Sequence, residues 1–479
     1  MSKPKGKIRV RFIGKNATDV TGSCTVIEYC DKKILIECGL YQGGGYLVIG
    51  IEEENGNKNL FKSGRVKCSE VDYIIAGHCH ADHTQLISLA VKEGFCGQIL
   101  MPCGSKEIYS VMAMDSCNIM GRTAQDLSKR LHREYLPIYE EDDVKRSIEL
   151  FRELPINERI TIDDTLEIRF VPSGHIANAC QIELWIKNNG NVKHILYTSD
   201  LGNRTVKQYY TEPYQQVMKS NLVIGECTYG ESGRTSTKKD RDKDIEKIDS
   251  IIKSVCIDKH KKVLIPIFSL HRAQTILTML WEMYCDKDWF NIPILLDSPL
   301  AIKLTEIYRS QFADTTDIEK VLSWKNINFL TEFKDTEYWA TNEAPCVFLS
   351  ASGMMVAGRS KFVASKLLPD RDNHIIFVGF SVENSLASKI KSQKTKSLKI
   401  DKKVVPCRCG ITDLKSFSSH ATYENLIETY TSGNFDKIAL VHGNFNTKLN
   451  FCQELQEELS KRNKTSRVIC VNKDTEILL

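Results

Sequence analysis

An apolar run ends abruptly in a cluster of histidine and aspartate side chains at residues 74–83. The run begins Ile74-Ile75-Ala76, and within the next seven positions come four residues that commonly bind metal ions: His78, His80, Asp82 and His83. Imidazole and carboxylate groups are ligands for zinc and similar first-row ions, and a loop between a strand and a helix lets several of them converge on one point. A polar loop that holds three histidines by chance is the less favoured reading, because the whole chain has 11 histidines in 479 residues. The pattern predicts a strand that ends at a metal site, and this donor set suits two ions better than one.

The size and composition predict a globular protein of two or three domains. A chain of 479 residues exceeds one ordinary core, and its hydrophobic fraction of 42% is enough to fill more than one. No apolar stretch is long enough to span a membrane, and the lysine-rich start of the chain lacks the apolar core of a signal peptide. The 17 cysteines are scattered and odd in number, which favours reduced thiols. We therefore expect a cytoplasmic location and no membrane partner.

Charge is nearly balanced over the chain but not in one segment. The net charge of +4 arises from 65 basic and 61 acidic residues, and it says little about partners. Residues 389–403 hold seven lysines and one acidic residue, Asp401. Such a run either contacts phosphate groups or forms a solvated loop in a lysine-rich chain, and the sequence alone favours the solvated loop.

Apolar periodicity divides the chain into three parts. Up to about residue 230, short β-branched runs predict strands, with helices expected at residues 115–131 and 141–154. Helices and buried strands then alternate, as in the helix at 242–256 and the strand at 263–268, which predicts a parallel, Rossmann-like sheet.

From about residue 402 the pattern returns to that of the first part. We therefore predict a first domain that is made of residues 1–230 and 402–479. The second domain, residues 231–401, is expected to be inserted into the first.

Two further polar residues follow apolar runs. His175 ends the sequence Val171-Pro172-Ser173-Gly174-His175, and Asp200 ends Ile195-Leu196-Tyr197-Thr198-Ser199-Asp200. Together with the cluster at residues 78–83, these positions resemble the ligand motifs of the metallo-β-lactamase superfamily. Its usual fifth motif does not follow within some tens of residues.

The later motifs resemble the β-CASP branch of that superfamily, in which a second domain interrupts the metallo-β-lactamase fold. Three extra motifs of the branch match Glu226, His420 and His442. Further matches are Val263-Leu264-Ile265-Pro266, Arg272-Ala273-Gln274, Asp297-Ser298-Pro299 and Ser350-Ala351-Ser352-Gly353-Met354-Met355. The resemblance implies an α/β protein, a metallo-β-lactamase αββα sandwich interrupted by a Rossmann-like β-CASP domain.

The resemblance also implies two zinc ions and a role for each motif residue. One ion is expected at His78, His80 and His175, the other at Asp82, His83 and His442, and Asp200 is expected to bridge them. The expected catalytic residues are Asp82, Glu226 and His420, with His420 as the general acid and Glu226 positioning it. The expected substrate-binding residues are Arg272, Ser352 and Ser418. Taken singly, Glu226 also fits a helix cap or salt bridge, and His420 a core imidazole.

The function that the resemblance implies is that of a zinc-dependent ribonuclease. A metal-bound hydroxide would hydrolyse phosphodiester bonds of single-stranded RNA and leave 5′-phosphate and 3′-hydroxyl ends, endonucleolytically and optionally also as a 5′-to-3′ exonuclease. RNA is favoured over DNA because His442 occupies the last motif, where DNA repair members carry an apolar residue. Two alternatives stay open: another hydrolase of this fold that acts on small substrates, and an inactive RNA-binding scaffold. A homodimer is also open, since relatives form dimers.

Three residues depart from the family pattern. Glu37 stands where relatives have aspartate, Thr422 stands where they have aspartate after Ser-x-His, and Asn444 stands where they have glutamate after His-Gly. None of the three is an expected ligand, and we expect Glu37 to lie behind the metals. The remaining histidines are expected in ordinary packing or at the surface: His132, His194, His260, His271 and His374.

Overall fold

A computed structural model describes residues 6–42, 57–61, 66–231, 237–356, 358–379, 381–401 and 403–479. The chain forms two compact units. Unit 1 comprises Met1–Arg204, Thr211–Thr235 and Ser419–Leu479, and unit 2 comprises Thr205–Tyr210 and Ser236–Ser418. The chain therefore leaves unit 1, builds unit 2 and returns. The domain limits at residues 230 and 401 stay predictions of the sequence.

Unit 1 contains two seven-stranded sheets, whose strands are numbered in chain order. The first sheet is built from β1 (Arg9–Phe12), β2 (Thr25–Tyr29), β3 (Lys32–Ile36), β4 (Tyr73–Ile75), β5 (Gln98–Pro102), β6 (Phe151–Leu154) and β22 (Glu476–Leu478), in the spatial order β22-β1-β2-β3-β4-β5-β6. The second is built from β7 (Ile160–Asp163), β8 (Leu166–Pro172), β9 (Cys180–Asn188), β10 (Asn191–Tyr197), β11 (Lys219–Glu226), β20 (Asn434–Val441) and β21 (Arg467–Cys470), in the order β21-β20-β11-β10-β9-β8-β7.

The two sheets of unit 1 pack face to face, and helices cover their outer faces. Alternating residues of both sheets, such as Ile36 and Ile75 on the first and Ile182 and Ile195 on the second, form one buried core. The helices are α1 (Ala81–Thr84), α2 (Ile87–Lys92), α3 (Ser105–Leu131), α4 (Glu141–Glu149), α12 (Tyr423–Ser432) and α13 (Phe445–Lys461). Helices α12 and α13 pack on the second sheet, and α3 packs on β5 and β6. These layers form the predicted αββα sandwich.

Unit 2 is built around a parallel sheet. Its six strands are β12 (Lys262–Pro266), β13 (Ile294–Asp297), β14 (Ile327–Phe329), β15 (Cys346–Ser350), β16 (His374–Phe377) and β19 (Gly410–Asp413), in the order β14-β13-β15-β12-β16-β19. The helices are α5 (Lys238–Ile252), α6 (Arg272–Tyr284), α7 (Pro299–Phe312), α8 (Ile318–Leu322), α9 (Phe333–Thr341), α10 (Arg359–Leu367) and α11 (Leu386–Ser392), and a two-stranded ribbon is formed by β17 (Ser397–Ile400) and β18 (Lys403–Pro406).

Every strand pair in the six-stranded sheet is parallel. Parallel neighbours need long crossover connections, and helices provide most of them here. All residues of β12 and β15 are buried, because helices cover both faces of a sheet of this kind. The Rossmann-like sheet that the alternating pattern predicted is confirmed.

One predicted helix was wrong at its end. The sequence pattern extended a helix over residues 141–154, but α4 ends at Glu149 and the next residues form β6. Phe151 pairs with Ile99 of β5 and is buried with Leu154, so pairing with a distant strand overrides the local helical pattern. Among the described helices, none combines the length and the apolar character that crossing a membrane requires.

Gly39 allows the chain after β3 to pass very close to α1. A Cβ atom on Gly39 would lie 1.6 Å from the carbonyl oxygen of Asp82, so both backbones would have to move. We expect Gly39→Ala to lower the free energy of unfolding by about 3 kcal/mol. Gly121→Ala is the matched control, because nothing lies within 4 Å of that added Cβ in α3 and alanine favours a helix. Urea denaturation measures both variants, and equal stability of Gly39→Ala and the parent protein would contradict this packing.

Candidate metal centre

The predicted ligands come together in unit 1 because they follow strands that end at the same edges. Strands β10, β11 and β20 are parallel neighbours, so Asp200, Glu226 and His442, which lie at or just after their carboxyl ends, are adjacent. His175 follows β8 in the same sheet. The remaining predicted ligands follow β4 of the facing sheet, in the loop that leads into α1 and in α1 itself. All nine predicted metal and catalytic residues lie in unit 1.

Three histidines and one carboxylate oxygen form the first donor group. The Nδ1 atom of His80 lies 3.1 Å from Nε2 of His78 and 3.3 Å from Nε2 of His175. The Oδ2 atom of Asp200 lies 3.6 Å and 3.4 Å from those same two Nε2 atoms. These four side chains have the spacing of a group that can hold one metal ion.

The second donor group meets the other oxygen of Asp200. The Oδ2 atom of Asp82 lies 3.7 Å from Nε2 of His83 and 3.5 Å from Nε2 of His442. The Oδ1 atom of Asp200 lies 3.3 Å from the His83 nitrogen and 3.6 Å from the His442 nitrogen. Each oxygen of Asp200 therefore faces a different group of donors.

Each of three histidines is held from behind by a second residue. The Nδ1 atom of His78 lies 3.0 Å from the Ser199 hydroxyl, and that of His442 lies 2.9 Å from the Thr228 hydroxyl. The Nδ1 atom of His83 lies 2.7 Å from Oε2 of Glu37. A partner on one ring nitrogen fixes the orientation of the ring and directs the other nitrogen towards a metal. In each of these histidines the nitrogen that faces the donor group is Nε2.

Several buried donor atoms lack a hydrogen bond among the described residues. They include Nε2 of His83, Nε2 of His442 and Oδ1 of Asp200. Buried polar atoms in proteins are nearly always satisfied, because leaving them unpaired costs free energy. Imidazole nitrogens and a carboxylate oxygen that converge in this way fit a metal ion of the zinc type.

The donors carry shifted pKa values whose causes differ. Burial lowers the pKa of His78 well below its usual value and that of His80 to about 4. Burial also acts to lower the pKa of His442, but Asp200 and Asp82 outweigh it and raise the pKa to about 9. In the same way, Asp200, Glu37 and Asp82 outweigh burial and raise the pKa of His83. Without a metal, the second group therefore holds protons that a metal would displace.

Glu226 and His420 form a pair beside the first group. Nδ1 of His420 lies 3.2 Å from Oε1 of Glu226, and Nε2 lies 3.8 Å from Oδ2 of Asp200. Glu226 is fixed in turn, because the backbone N–H groups of Leu201 and Thr228 donate to its two oxygens at 2.8 and 3.1 Å. Burial opposes protonation of His420, but Glu226 and Asp200 raise its pKa above the usual value.

The backbone places His420 next to the metal ligands. Gly202 and His420 form an isolated antiparallel β-bridge, and the residues that flank them also pair. The Ala421 N–H, for example, donates to the Leu201 carbonyl oxygen at 2.7 Å. The His420 side chain stays 21% exposed, whereas that of Asp200 is 2% exposed. His420 is therefore the more accessible partner and can meet a bound molecule.

The three predicted substrate-binding residues lie in unit 2. Arg272 is the first residue of α6, and Ser418 is the last residue of the unit. Ser352 follows β15, and its carbonyl oxygen accepts a hydrogen bond from the Ser360 hydroxyl at 2.7 Å. Their contact with a substrate stays a prediction. His271 is buried, as expected for ordinary packing, and its Nδ1 atom lies 3.3 Å from the Tyr308 hydroxyl.

The three departures from the family pattern have local explanations. Glu37 lies behind His83 and accepts hydrogen bonds from the Tyr197 and Ser199 hydroxyls at 2.9 and 2.6 Å. Thr422 caps the N-terminus of α12, and Asn444 caps that of α13.

Sequence reasoning missed the residues that support the ligands, namely Tyr197, Ser199 and Thr228. Ser199 directly precedes Asp200, Tyr197 lies three positions before it, and Thr228 follows Glu226 by two positions. A hydroxyl next to each ligand motif was therefore the available signal.

Two family profiles match parts of this chain. One is described as "Beta-Casp domain" and matches residues 273–390. The other is described as "Zn-dependent metallo-hydrolase RNA specificity domain" and matches residues 404–466. The first range lies within unit 2, and the second includes His420 and His442.

Relatives match along most of the chain. Cleavage and polyadenylation specificity factor subunit 3 of Dictyostelium discoideum is 26% identical over 95% of this chain and 55% of its own length. Transcription termination factor FttA of Methanocaldococcus jannaschii is 25% identical over 95% of this chain and 70% of its own. Ribonuclease TTHA0252 of Thermus thermophilus is 25% identical over 89% of this chain and 91% of its own.

The chain spans little more than half the length of the Dictyostelium relative, and 60% of a similar Drosophila factor. A solved structure of an Enterococcus faecalis protein, titled as of unknown function, matches with a TM-score of 0.54 and 11% identity over 99% of this chain and 100% of its own, which supports the fold alone.

The fold and the donor groups have the arrangement of the metallo-β-lactamase fold. The two profiles and the relatives narrow this resemblance to the β-CASP branch of metallo-β-lactamase-fold proteins.

Glu37 offers a test of the support behind the donor groups. Glu37→Gln removes the negative charge beside Nδ1 of His83, and its amide cannot accept hydrogen bonds at both ends as Glu37 does. We expect zinc affinity to fall about 10- to 100-fold, as for other residues that orient a metal ligand. Competition with a coloured chelator measures this affinity.

Glu183→Gln is the matched control for this substitution. Glu183 is also buried in unit 1 and paired, through Arg169 and His194, but it lies outside the donor groups. Zinc affinity unchanged in Glu37→Gln, or reduced equally in Glu183→Gln, would contradict the role of Glu37.

Proposed function

We propose that this protein is a ribonuclease that holds two zinc ions and hydrolyses phosphodiester bonds within single-stranded RNA. The products would carry 5′-phosphate and 3′-hydroxyl ends. In this proposal the first ion is held by His78, His80 and His175, the second by Asp82, His83 and His442, and Asp200 contacts both. Arg272, Ser352 and Ser418 are proposed to contact the RNA.

One observation carries the proposal: the two oxygens of Asp200 face two separate donor groups. A carboxylate in an ordinary ion pair needs only one charged partner, and a site for a single metal ion needs only one group of donors. Two groups that share one carboxylate suit a pair of ions, which is the arrangement of many enzymes that cleave phosphodiesters. When bound, such a pair supplies Lewis acidity and lowers the pKa of water to near neutral.

The residues of the chain account for the proton that the leaving group needs. His420 is the most accessible histidine of the centre apart from His80, and its pKa is raised above the usual value. A protonated imidazole at neutral pH can donate to the departing ribose oxygen. Glu226 holds Nδ1 of His420, which leaves the proton on Nε2 directed towards the donor groups. Asp82, whose Oδ2 lies beside Nε2 of His83 and Nε2 of His442, would orient the second donor group.

RNA as the substrate is supported by the relatives. The Thermus relative is named a ribonuclease, and other similar proteins are named endoribonuclease YSH1. The profile that covers His420 and His442 is described as an RNA specificity domain. These descriptions favour RNA over a small substrate, and internal cleavage over trimming from an end.

His420 provides the sharpest test of the catalytic assignment. His420→Ala should lower the rate of RNA cleavage by about 10²- to 10⁴-fold, because the leaving oxygen would depart without a proton donor. Zinc content should stay that of the parent protein. Gel analysis of end-labelled single-stranded RNA gives the rate, and elemental analysis gives the metal content.

His194→Ala is the matched control, because His194 is also paired with a buried glutamate, Glu183, at 2.9 Å and lies outside the centre. Its cleavage rate should equal that of the parent protein. Full cleavage by His420→Ala would refute the proton-donor role. Turnover of a small ester with no RNA cleavage by the parent protein would favour a small-substrate hydrolase, and zinc-free, inactive protein would favour a scaffold.

Glu226→Gln tests the source of the raised His420 pKa. The negative charge of Glu226 helps to raise that pKa, so its removal should lower the pKa. Since the acid must be protonated to donate, the alkaline limb of the pH–rate profile should move to lower pH. The profile is measured from pH 6 to 10. If the alkaline limb does not move, Glu226 is not the group that raises the pKa of His420.

Metal binding should depend on pH through the second donor group. In the metal-free protein, Asp200 and Asp82 raise the pKa of His442 to about 9, and Asp200, Glu37 and Asp82 raise that of His83, so protons compete with a metal ion for these imidazoles. A metal ion requires neutral imidazoles, so binding releases these protons and zinc affinity should rise with pH up to about 9. Chelator competition at several pH values gives the affinity, and calorimetry in two buffers counts the released protons. An affinity that does not change with pH would contradict the assignment of these ligands.

A further inference from the structure

The lysine-rich segment forms part of an ordered element of unit 2. Lys394 and Lys396 follow α11, Lys399 lies on β17 and Lys403 begins β18. The two strands are antiparallel, and the backbone N–H of Cys407 donates to the carbonyl oxygen of Lys396, which extends the pairing by one residue pair. Lys399 and Lys403 therefore lie on paired strands, and Lys396 is bonded to the end of the pair, so these residues are not in the solvated loop that the sequence favoured. We call residues 394–401 and 403–407 the lysine ribbon, with Lys394 in the connection from α11.

One face of this ribbon is fixed to the core of unit 2. Ile400 and Val405 are buried in an apolar cluster with Leu367 and Phe377. Leu398 and Cys407 pack against the same cluster. Because side chains alternate along a strand, the opposite face of the ribbon is held facing outward.

The outward face combines positive charge with apolar surface. Lys399 is directly opposite Val404 in the register, and both are exposed, with Val404 73% exposed. Lys403 is opposite Ile400 and Lys396 is opposite Cys407, so both belong to the other side of the ribbon. They lie at its two ends and are nevertheless exposed, as is Lys394 before it. The exposed valine beside Lys399 places an apolar contact next to a positive charge, which suits a ligand with alternating anionic and apolar parts.

The acidic residues near the ribbon are already paired. Asp401 forms an ion pair with Lys361 of α10, and Asp413 forms one with Lys391 of α11 at 2.9 Å. Among the described residues, no carboxylate lies within 4 Å of the ammonium groups of Lys394, Lys396, Lys399 or Lys403. In a chain with 65 basic and 61 acidic residues, this local excess is not a result of overall composition.

We propose that this lysine ribbon binds the sugar–phosphate backbone of single-stranded RNA, with the lysines contacting phosphates and Val404 contacting ribose or base. The inference rests on the proposed function, because it adds a binding surface for the same substrate. The two matched family profiles cover residues 273–390 and 404–466, so Lys394, Lys396 and Lys399 lie outside both. The surface is thus a property of this chain that neither description assigns.

Neutralising the lysines tests the ribbon by its salt dependence. The triple variant Lys394→Gln, Lys396→Gln and Lys399→Gln is prepared in zinc-loaded protein that also carries His420→Ala. It is titrated with fluorescent single-stranded RNA from 50 to 300 mM KCl. Each phosphate contact with a single strand contributes about 0.7 to the slope of log affinity against log salt, so the loss of three contacts should lower the slope by about 2. At about 0.1 M salt the affinity should fall by tenfold or more.

Two further variants control this experiment. Lys287→Gln, Lys325→Gln and Lys334→Gln remove the same charge from exposed positions of unit 2 outside the ribbon, and the slope should stay unchanged. Replacement of the three ribbon lysines by arginine should retain both slope and affinity, since the charge is kept. Thermal unfolding should match the parent protein in all three, because these side chains are exposed.

The outcomes separate the ribbon from the proposed function. Equal slopes for the ribbon and control variants would refute the ribbon as an RNA contact, even if the parent protein cleaves RNA. A reduced slope for the ribbon variant alone would support it. Failure of the zinc-loaded parent protein to cleave RNA would instead refute the proposed function and leave the binding result to stand on its own.

Discussion

The carboxylate of Asp200 lies within 3.8 Å of a ring nitrogen of five histidines: His78, His83, His175, His420 and His442. Five imidazoles cannot all be protonated and buried together, and a buried carboxylate is costly without partners. The negative charge of Asp200 therefore has to be balanced by positive charge on the surrounding side chains. The pKa of Asp200 is held well below its usual value by the surrounding imidazoles despite burial, which keeps the carboxylate charged.

The second layer of contacts explains why the ring nitrogens point inward. Glu37 joins His83 to the hydroxyls of Tyr197 and Ser199, and Ser199 also contacts His78. One carboxylate thus couples a histidine of each donor group. Such a network is stabilising only when every member is satisfied. A longer side chain than the family's aspartate is accommodated here without removing any donor from the centre.

The two units use different principles to present their functional residues. In unit 1, the ends of strands from two facing sheets bring the ligands together. These ligands are up to 364 positions apart in the sequence, from His78 to His442. In unit 2, the apolar face of the ribbon packs on the core, and Lys399 and Val404 lie on the opposite, exposed face. The first arrangement depends on burial and the second on exposure. Both nevertheless depend on the alternation of side chains along strands.

Much of this protein follows from its sequence. The cluster at residues 78–83, with His175 and Asp200, indicated a metal centre, because histidine and aspartate that group at strand ends are typical ligands of zinc. The alternation of helical and apolar runs predicted the parallel sheet of unit 2. Local patterns carry such information because ligand type and side-chain period are properties of short segments.

Other features were decided only by tertiary structure. The end of α4 was set by the pairing of Phe151 with Ile99. The lysine segment forms a ribbon because Leu398, Ile400 and Val405 pack against the core of unit 2. The partners behind the ligands, Ser199 and Thr228, could be read as ordinary polar residues until their neighbours were known. The sequence by itself determined which side chains could bind metal and where strands would end. Only the folded chain decided which of those atoms share Asp200, because distances between residues far apart in sequence are set by packing.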